Sequence, residues 1–177
     1  MKEYYNILKY LYKPLNSFLE IPGVVPGKVL DVNEIFNIPG PKDRIRSGDQ
    51  KVIRMEENRK ICEILGNPFK KYDVIHVVGT NGKGSVSAKL AETLKSANYK
   101  VGLLTSPHLY VFRERIRVND QLISKEDFVR LWNEILQKIA PLLPGLTAIT
   151  PFVLHNVLAM EYFRQQNCDV GNPILFQ

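Results

Sequence analysis

The run Val74-Ile75-His76-Val77-Val78-Gly79-Thr80-Asn81-Gly82-Lys83-Gly84-Ser85 limits the folds open to this chain more than any other stretch. A mostly β-branched segment ends in a glycine-rich turn with one lysine and one serine, and an amphipathic segment follows at once. Strand, glycine turn and helix in that order form an arrangement that holds phosphates. Phosphate oxygens need donors at close range. The backbone N–H groups from Thr80 to Ser85 can supply them if nothing bulky intervenes, which accounts for Gly79, Gly82 and Gly84. The helix N-terminus adds roughly half a positive charge, and Lys83 adds a full mobile one. Ser85 offers a hydroxyl to a phosphate-bound magnesium ion. The spacing is not that of the strict P-loop, G-x-x-x-x-G-K-[S/T]. Two residues separate Gly79 from Gly82, and Gly84 stands between the lysine and the serine.

A length of 177 residues suffices for a domain with a real core. No apolar run approaches the ~20 residues of a membrane span. The first residues lack the order of a secretory signal, so a cytoplasmic protein with no membrane partner is expected. Cys62 and Cys168 lie far apart, in no metal-ligand spacing, and read as reduced thiols. The net charge of +6 comes without a basic block interleaved with aromatics, so no nucleic-acid partner is expected. A polyanionic small molecule such as ATP accounts for the sign, and so does a solvated surface rich in lysine.

Along the chain, residues 4–12 carry apolar side chains at helical spacing. Residues 13–50 are rich in proline and glycine and read as irregular, with one short element near Val32–Phe36. Residues 52–65 read as a helix with Met55, Ile61, Cys62 and Leu65 on one face, stopped at Gly66-Asn67-Pro68. The segment 74–78 lacks polar alternation apart from His76, which predicts a central strand buried on both faces. A helix from Lys83 buries Val86, Leu90, Leu94 and Ala97 as one stripe. Val101–Leu104 is a second strand, parallel to the first. Residues 114–118 alternate, with Arg113, Arg115 and Arg117 on one face, either solvated or facing a ligand. Ser124 caps a helix carrying Phe128, Leu131, Trp132, Ile135 and Ile139. A last helix starts at Thr150-Pro151 and runs to about Gln166. Cys168-Asp169-Val170 opens another strand, which Gly171-Asn172-Pro173 interrupts.

Three separated motifs occur in order: Gly79–Ser85 (GTNGKGS), Ser106–Leu109 (SPHL) and Arg113–Asn119 (RERIRVN). Together with Leu65-Gly66-Asn67-Pro68, they resemble folylpolyglutamate synthase and dihydrofolate synthase of the Mur ligase superfamily, from about residue 52 to Val170. The resemblance implies an α/β fold, an incomplete P-loop ATPase domain of Mur ligase type with a mostly parallel sheet flanked by helices. It implies an ATP-dependent amide ligase that adds L-glutamate to a folate or dihydropteroate through an acyl phosphate. It also implies that Thr80, Asn81, Gly82, Lys83, Gly84 and Ser85 hold ATP, with Lys83 catalytic, and that Ser85 and Ser106 ligate Mg²⁺. Phe112, Arg115, Thr150 and Phe152 would touch the pterin substrate. Val153 stands where the family carries a glutamate. The full-length family is expected to be monomeric.

After Val170 the family continues with an EVGLGG-like motif, whose glutamate binds magnesium, and later with a separate C-terminal domain. This chain reads Gly171–Gln177 instead. The expected organisation is an N-terminal helix with an irregular segment (1–51), a partial ATP-binding domain (52–170) and a divergent tail (171–177). Such a chain is expected to be truncated and inactive alone. It should expose apolar surface at 74–78 and at the helices 128–139 and 152–163. The alternative is a non-catalytic nucleotide-binding fragment. A small-molecule kinase has no need of the SPHL and RERIRVN segments.

Overall fold

The computed structural model of the chain describes residues 1–11, 56, 58–141 and 151–172. The expected irregular segment 13–50, Met55 and the Thr150 cap lie outside the described residues.

Helix α1 spans Lys2–Leu11. A helical run, α2, covers residues 58–64. It buries Ile61 and Cys62, with Leu65 just past its end, and Gly66 and Asn67 stop it at positive φ. Strand β1 is only Asp73–Val74. Helix α3 spans Lys83–Ser96, β2 Val101–Leu104, β3 Ile116–Val118 and β4 Gln121–Leu122. Helix α4 spans Lys125–Ile139, helix α5 Pro151–Gln165, and β5 is Val170–Gly171. The Ser124 hydroxyl accepts the Asp127 amide, so α4 starts where its cap predicts.

The sheet is mixed, in the order β1-β5-β2-β3-β4. β5 runs parallel to both β1 and β2, while β3 and β4 extend the other side in antiparallel fashion. β1 and β2 are therefore parallel, as expected, but the last strand separates them. Val170 pairs with Asp73 on one side and Val101 on the other. The Gly-Asn step does not prevent this strand; it ends it.

Two expectations about burial fail. β1 is an edge strand of the described sheet, and Val78 is 69% exposed. Hydrogen-bonded to β5 alone among the described strands, it leaves one backbone edge unpaired, and residues 74–77 are only half-buried. On α3, Ser87 is the buried residue, while Val86 and Leu90 are exposed. The helix leans on β2, and Leu90 and Leu94 face Ile75, Val77 and Val170 across a gap instead of packing against them.

The helices expected to lie bare are instead the centre of the core. Residues 153–163 of α5 are buried throughout. On α4 the residues Phe128, Leu131, Trp132, Ile135 and Ile139 are buried. The two helices pack on each other, and α1 packs on both. Tyr4 and Ile7 of α1 join that core. Tyr4 meets Phe128 edge-on at 5.5 Å. Lys125 lies over the rings of Tyr4 and Tyr5, and Asn133 donates to Glu3.

The arginine alternation also resolves differently. Phe112–Arg115 is a 3₁₀ turn, and only Ile116–Val118 is strand. With about three residues per turn, such a segment cannot align alternate residues on one face. Arg113 donates to the Ile123 carbonyl, whereas Arg115 turns toward His108.

Candidate functional site

Backbone conformation builds the glycine turn. Gly79 has φ 146° and Gly82 φ 79°, and Gly82 is the residue from which α3 starts. The first bond of the helix runs from the Val86 amide to the Gly82 carbonyl. The amides of Lys83, Gly84 and Ser85 are thus first-turn donors without intrahelical partners. Lys83 folds back over the turn, and its Nζ donates to the carbonyls of Gly79 and Thr80.

The facing wall is the end of β2 and the loop beyond it. The Thr105 amide donates to the Arg115 carbonyl at 2.9 Å. The Leu104 amide donates to Asn172 Oδ1 at 2.6 Å, and Asn172 Nδ2 donates to the Leu104 carbonyl at 3.2 Å. Between the walls lies a cleft of about 260 Å³. Gly79, Lys83 and Gly84 line one part; Thr105, Ser106 and Asn172 line another. This is the carboxyl end of the parallel strands, where open α/β sheets bind ligands. No carboxylate faces the cleft among the described residues. Its polar groups are backbone amides, hydroxyls, the His76 imidazole and a lysine, the Asn172 side-chain amide being engaged at Leu104. That set suits an anion of several phosphates, and suits magnesium only when phosphate oxygens complete the metal's shell.

The SPHL loop is fastened to the segment that follows it. The Glu114 carboxylate accepts the amides of Leu109, Tyr110 and Val111 at 2.7, 2.9 and 2.7 Å. These bonds, led by that of Leu109, hold its pKa below the usual carboxylate range. Arg115 Nε donates to His108 Nδ1 at 2.8 Å. Burial, and then the Arg115 charge, lower the His108 pKa. The Arg115 guanidinium lies 5.1 Å above the Phe112 ring, and Phe112 meets His155 at 5.0 Å. His155 is almost fully buried, and burial followed by the Arg115 and His108 charges pushes its pKa down to about 3.

Of the residues singled out from sequence, Gly79, Lys83, Gly84 and Ser106 line one cleft. Thr80, Asn81, Gly82 and Ser85 are exposed at the turn beside it and are not part of its lining. Phe112 is 5% exposed and belongs to the core, against Phe128 and His155. Arg115 lies with His108, outside the cleft lining. Thr150 and the side chain of Phe152 lie outside the described residues. Four polar cleft residues were not singled out as site residues, and one of them, Ser87, is the buried residue of α3. Thr105 adjoins the singled-out Ser106, and His76 lies in the strand segment itself. Asn172 carries no local signal, because only strand pairing brings it beside Leu104. Both thiols are buried, and burial raises Cys62 to about 11 and Cys168 to about 12, so both stay protonated near neutral pH.

No protein-family model matches the chain. Solved structures and curated proteins do. The folylpolyglutamate synthase of Thermotoga maritima superimposes with a TM-score of 0.63 at 37% identity, over 67% of this chain and 28% of that one. The Mycobacterium tuberculosis folylpolyglutamate synthase complexed with ADP gives 0.64 at 28% identity, over 68% and 28%. The sheet, turn and helices therefore define the class: an α/β domain with the fold of these Mur-ligase-type structures, its mixed sheet flanked by helices. More particularly, the chain is similar to the folylpolyglutamate and dihydrofolate synthases. The dihydrofolate synthase/folylpolyglutamate synthase of Bacillus subtilis is 45% identical over 77 residues, 44% of this chain and 18% of that protein. The chain spans less than a third of the length of these relatives. No described helix is long and apolar enough to cross a membrane.

Proposed function

We propose that the cleft binds the phosphates of ATP and that the chain is part of an ATP-dependent amide ligase joining L-glutamate to a folate or dihydropteroate. The observation that carries this reading is the placement of Lys83 and the glycine turn opposite Thr105 and Ser106 across one cleft. The names of the relatives supply the substrate class.

In this reading the amides of Lys83, Gly84 and Ser85 hold phosphate oxygens at the head of α3, and Gly82 lets the backbone come close. Lys83 exchanges its two loop carbonyls for phosphate oxygens. The substrate carboxylate attacks the terminal phosphorus, forming an acyl phosphate and releasing ADP. The glutamate amine then displaces phosphate and forms the amide. Bringing carboxylate and triphosphate together opposes two anions, and Lys83 with the helix terminus offsets that repulsion. Magnesium, when bound, would lower the charge on the phosphates, with Ser106 and Ser85 as the hydroxyls of this chain assigned to it. Arg115 is assigned to the substrate side, with Thr150 and Phe152. For Phe112 we assign an indirect part, as the ring beneath the Arg115 guanidinium. Residues 52–170 are assigned as a partial ATP-binding unit, and the full-length protein as a cytoplasmic monomer.

A cleft without a carboxylate among its described residues favours binding over turnover by these 177 residues alone. Titration of the chain with a fluorescent ATP analogue tests the nucleotide assignment. Lys83→Ala should weaken binding by about ten- to a hundredfold, the worth of a charge-assisted hydrogen bond. Unchanged affinity removes it. Folate, ATP and L-glutamate incubated with the chain should give no elongated product.

A further inference from the structure

We infer that Asn172 is a positioning residue that sets Ser106 at the metal-facing side of the cleft. This role depends on the cleft being a nucleotide site, as proposed above. Asn172 follows β5, the strand inserted between β1 and β2, and it lines the cleft with Lys83 and Ser106. Its side chain does not reach for a ligand. Oδ1 accepts the Leu104 amide at 2.6 Å and Nδ2 donates to the Leu104 carbonyl at 3.2 Å. Its own amide donates to the Gly102 carbonyl at 3.1 Å.

The side-chain amide thus copies a peptide group and extends the β5–β2 pairing one step beyond the bond that the Asn172 backbone amide makes to Gly102. An amide matches this pair as a peptide group would, because the Leu104 backbone presents one donor and one acceptor and the amide holds an acceptor and a donor side by side in one plane. A carboxylate satisfies the donor alone, and an apolar side chain neither. On the next residue, the Thr105 amide is held by the Arg115 carbonyl. The backbone leading into Ser106 is therefore held at Leu104 by Asn172 and at Thr105 by the segment after SPHL. With both polar atoms of Asn172 engaged, the hydroxyls of Thr105 and Ser106 are left on this wall, and Asn172 acts on a metal-bound phosphate through the second of them.

The test is ATP affinity of the full chain, measured with excess Mg²⁺ and again with EDTA. Asn172→Ala should weaken Mg-ATP binding about five- to tenfold, as expected for one or two hydrogen bonds, and leave metal-free ATP within about twofold. In a Ser106→Ala background it should add nothing, because its effect passes through that hydroxyl. Asn172→Asp keeps the bond from the Leu104 amide and supplies a second variant should the alanine chain fail to fold. It should lie between wild type and alanine in Mg-ATP affinity. Equal weakening with and without Mg²⁺, or additive effects with Ser106→Ala, would overturn the inference. Wild-type chain that binds ATP in neither condition would instead overturn the nucleotide reading itself, and this inference with it.

Discussion

Arg115 donates from Nε to Nδ1 of His108 at 2.8 Å. The bond ties the SPHL loop to the RERIRVN segment, two stretches that look independent in sequence. It also fixes the proton of the neutral imidazole on Nε2, since Nδ1 is the acceptor. Arg115→Gln should therefore raise the pKa of His108 toward its ordinary value, because the second contribution to its depression is the Arg115 charge. An NMR titration of the imidazole resonances reads this directly. An unshifted midpoint would mean that burial alone sets the value.

Glu114 carries the rest of the loop. Replacing it with alanine removes the acceptor for three consecutive amides. Hydrogen exchange at Leu109, Tyr110 and Val111 should accelerate by roughly tenfold or more, with the core of α5 unchanged. Exchange rates equal to wild type at all three would show that the loop holds itself.

The two glycines flanking Lys83 should respond to alanine with opposite signs. Gly82 sits at φ 79°, and no atom lies within 4 Å of where a Cβ would stand, so alanine there meets backbone strain and no clash. About 1–2 kcal/mol of stability should be lost. Gly84 lies inside α3, again with open space around it. Alanine there should gain about 0.5–1 kcal/mol while obstructing the approach of phosphate. Urea unfolding reads the first effect of each and ATP titration the second; matching signs in urea would contradict the turn geometry.

Gly102 is governed by packing. A Cβ there would run into the Phe163 ring on α5. Gly102→Ala should cost about 1–3 kcal/mol through overpacking, and Phe163→Leu in the same background should recover part of it. Failure of that rescue in denaturant midpoints would show that the ring is not the obstacle.

His155 makes stability depend on pH. Its folded pKa of about 3 lies below the ordinary 6.5, so between these values the unfolded chain binds a proton that the folded chain does not. Stability should fall as pH drops from about 6.5 toward 3. His155→Phe should flatten that slope, leaving the further loss at lower pH as Glu114, Asp127 and Glu161, whose acidity is strengthened by hydrogen bonds, become protonated. Thermal melts at about pH 7, 6, 5 and 4 for both chains check it; parallel curves would count against the buried neutral imidazole.

Local features were legible because local physics fixes them. The start of α3 at Lys83 and of α4 after Ser124 follow from a glycine at positive φ and a hydroxyl in reach of an amide. The stop at Gly66-Asn67 is of the same kind. Burial was less legible. The stripe on α3 has the right period yet Val86 and Leu90 stay exposed, because periodicity identifies an apolar face and not the surface that covers it. Conversely, α1 covers part of the helices expected to be bare, a contact between residues more than a hundred positions apart.

The sequence by itself determined the glycine turn, the lysine at the head of its helix, and the order of three motifs, since each depends on neighbours a few residues away. Only the tertiary structure decided that β5 lies between β1 and β2, that Phe112 turns into the core, and that Asn172 completes the wall opposite Lys83. The insertion of β5 and the facing of Asn172 on Leu104 arise from pairing across 68 or more positions, and no local pattern of side chains encodes which backbone a distant strand will meet.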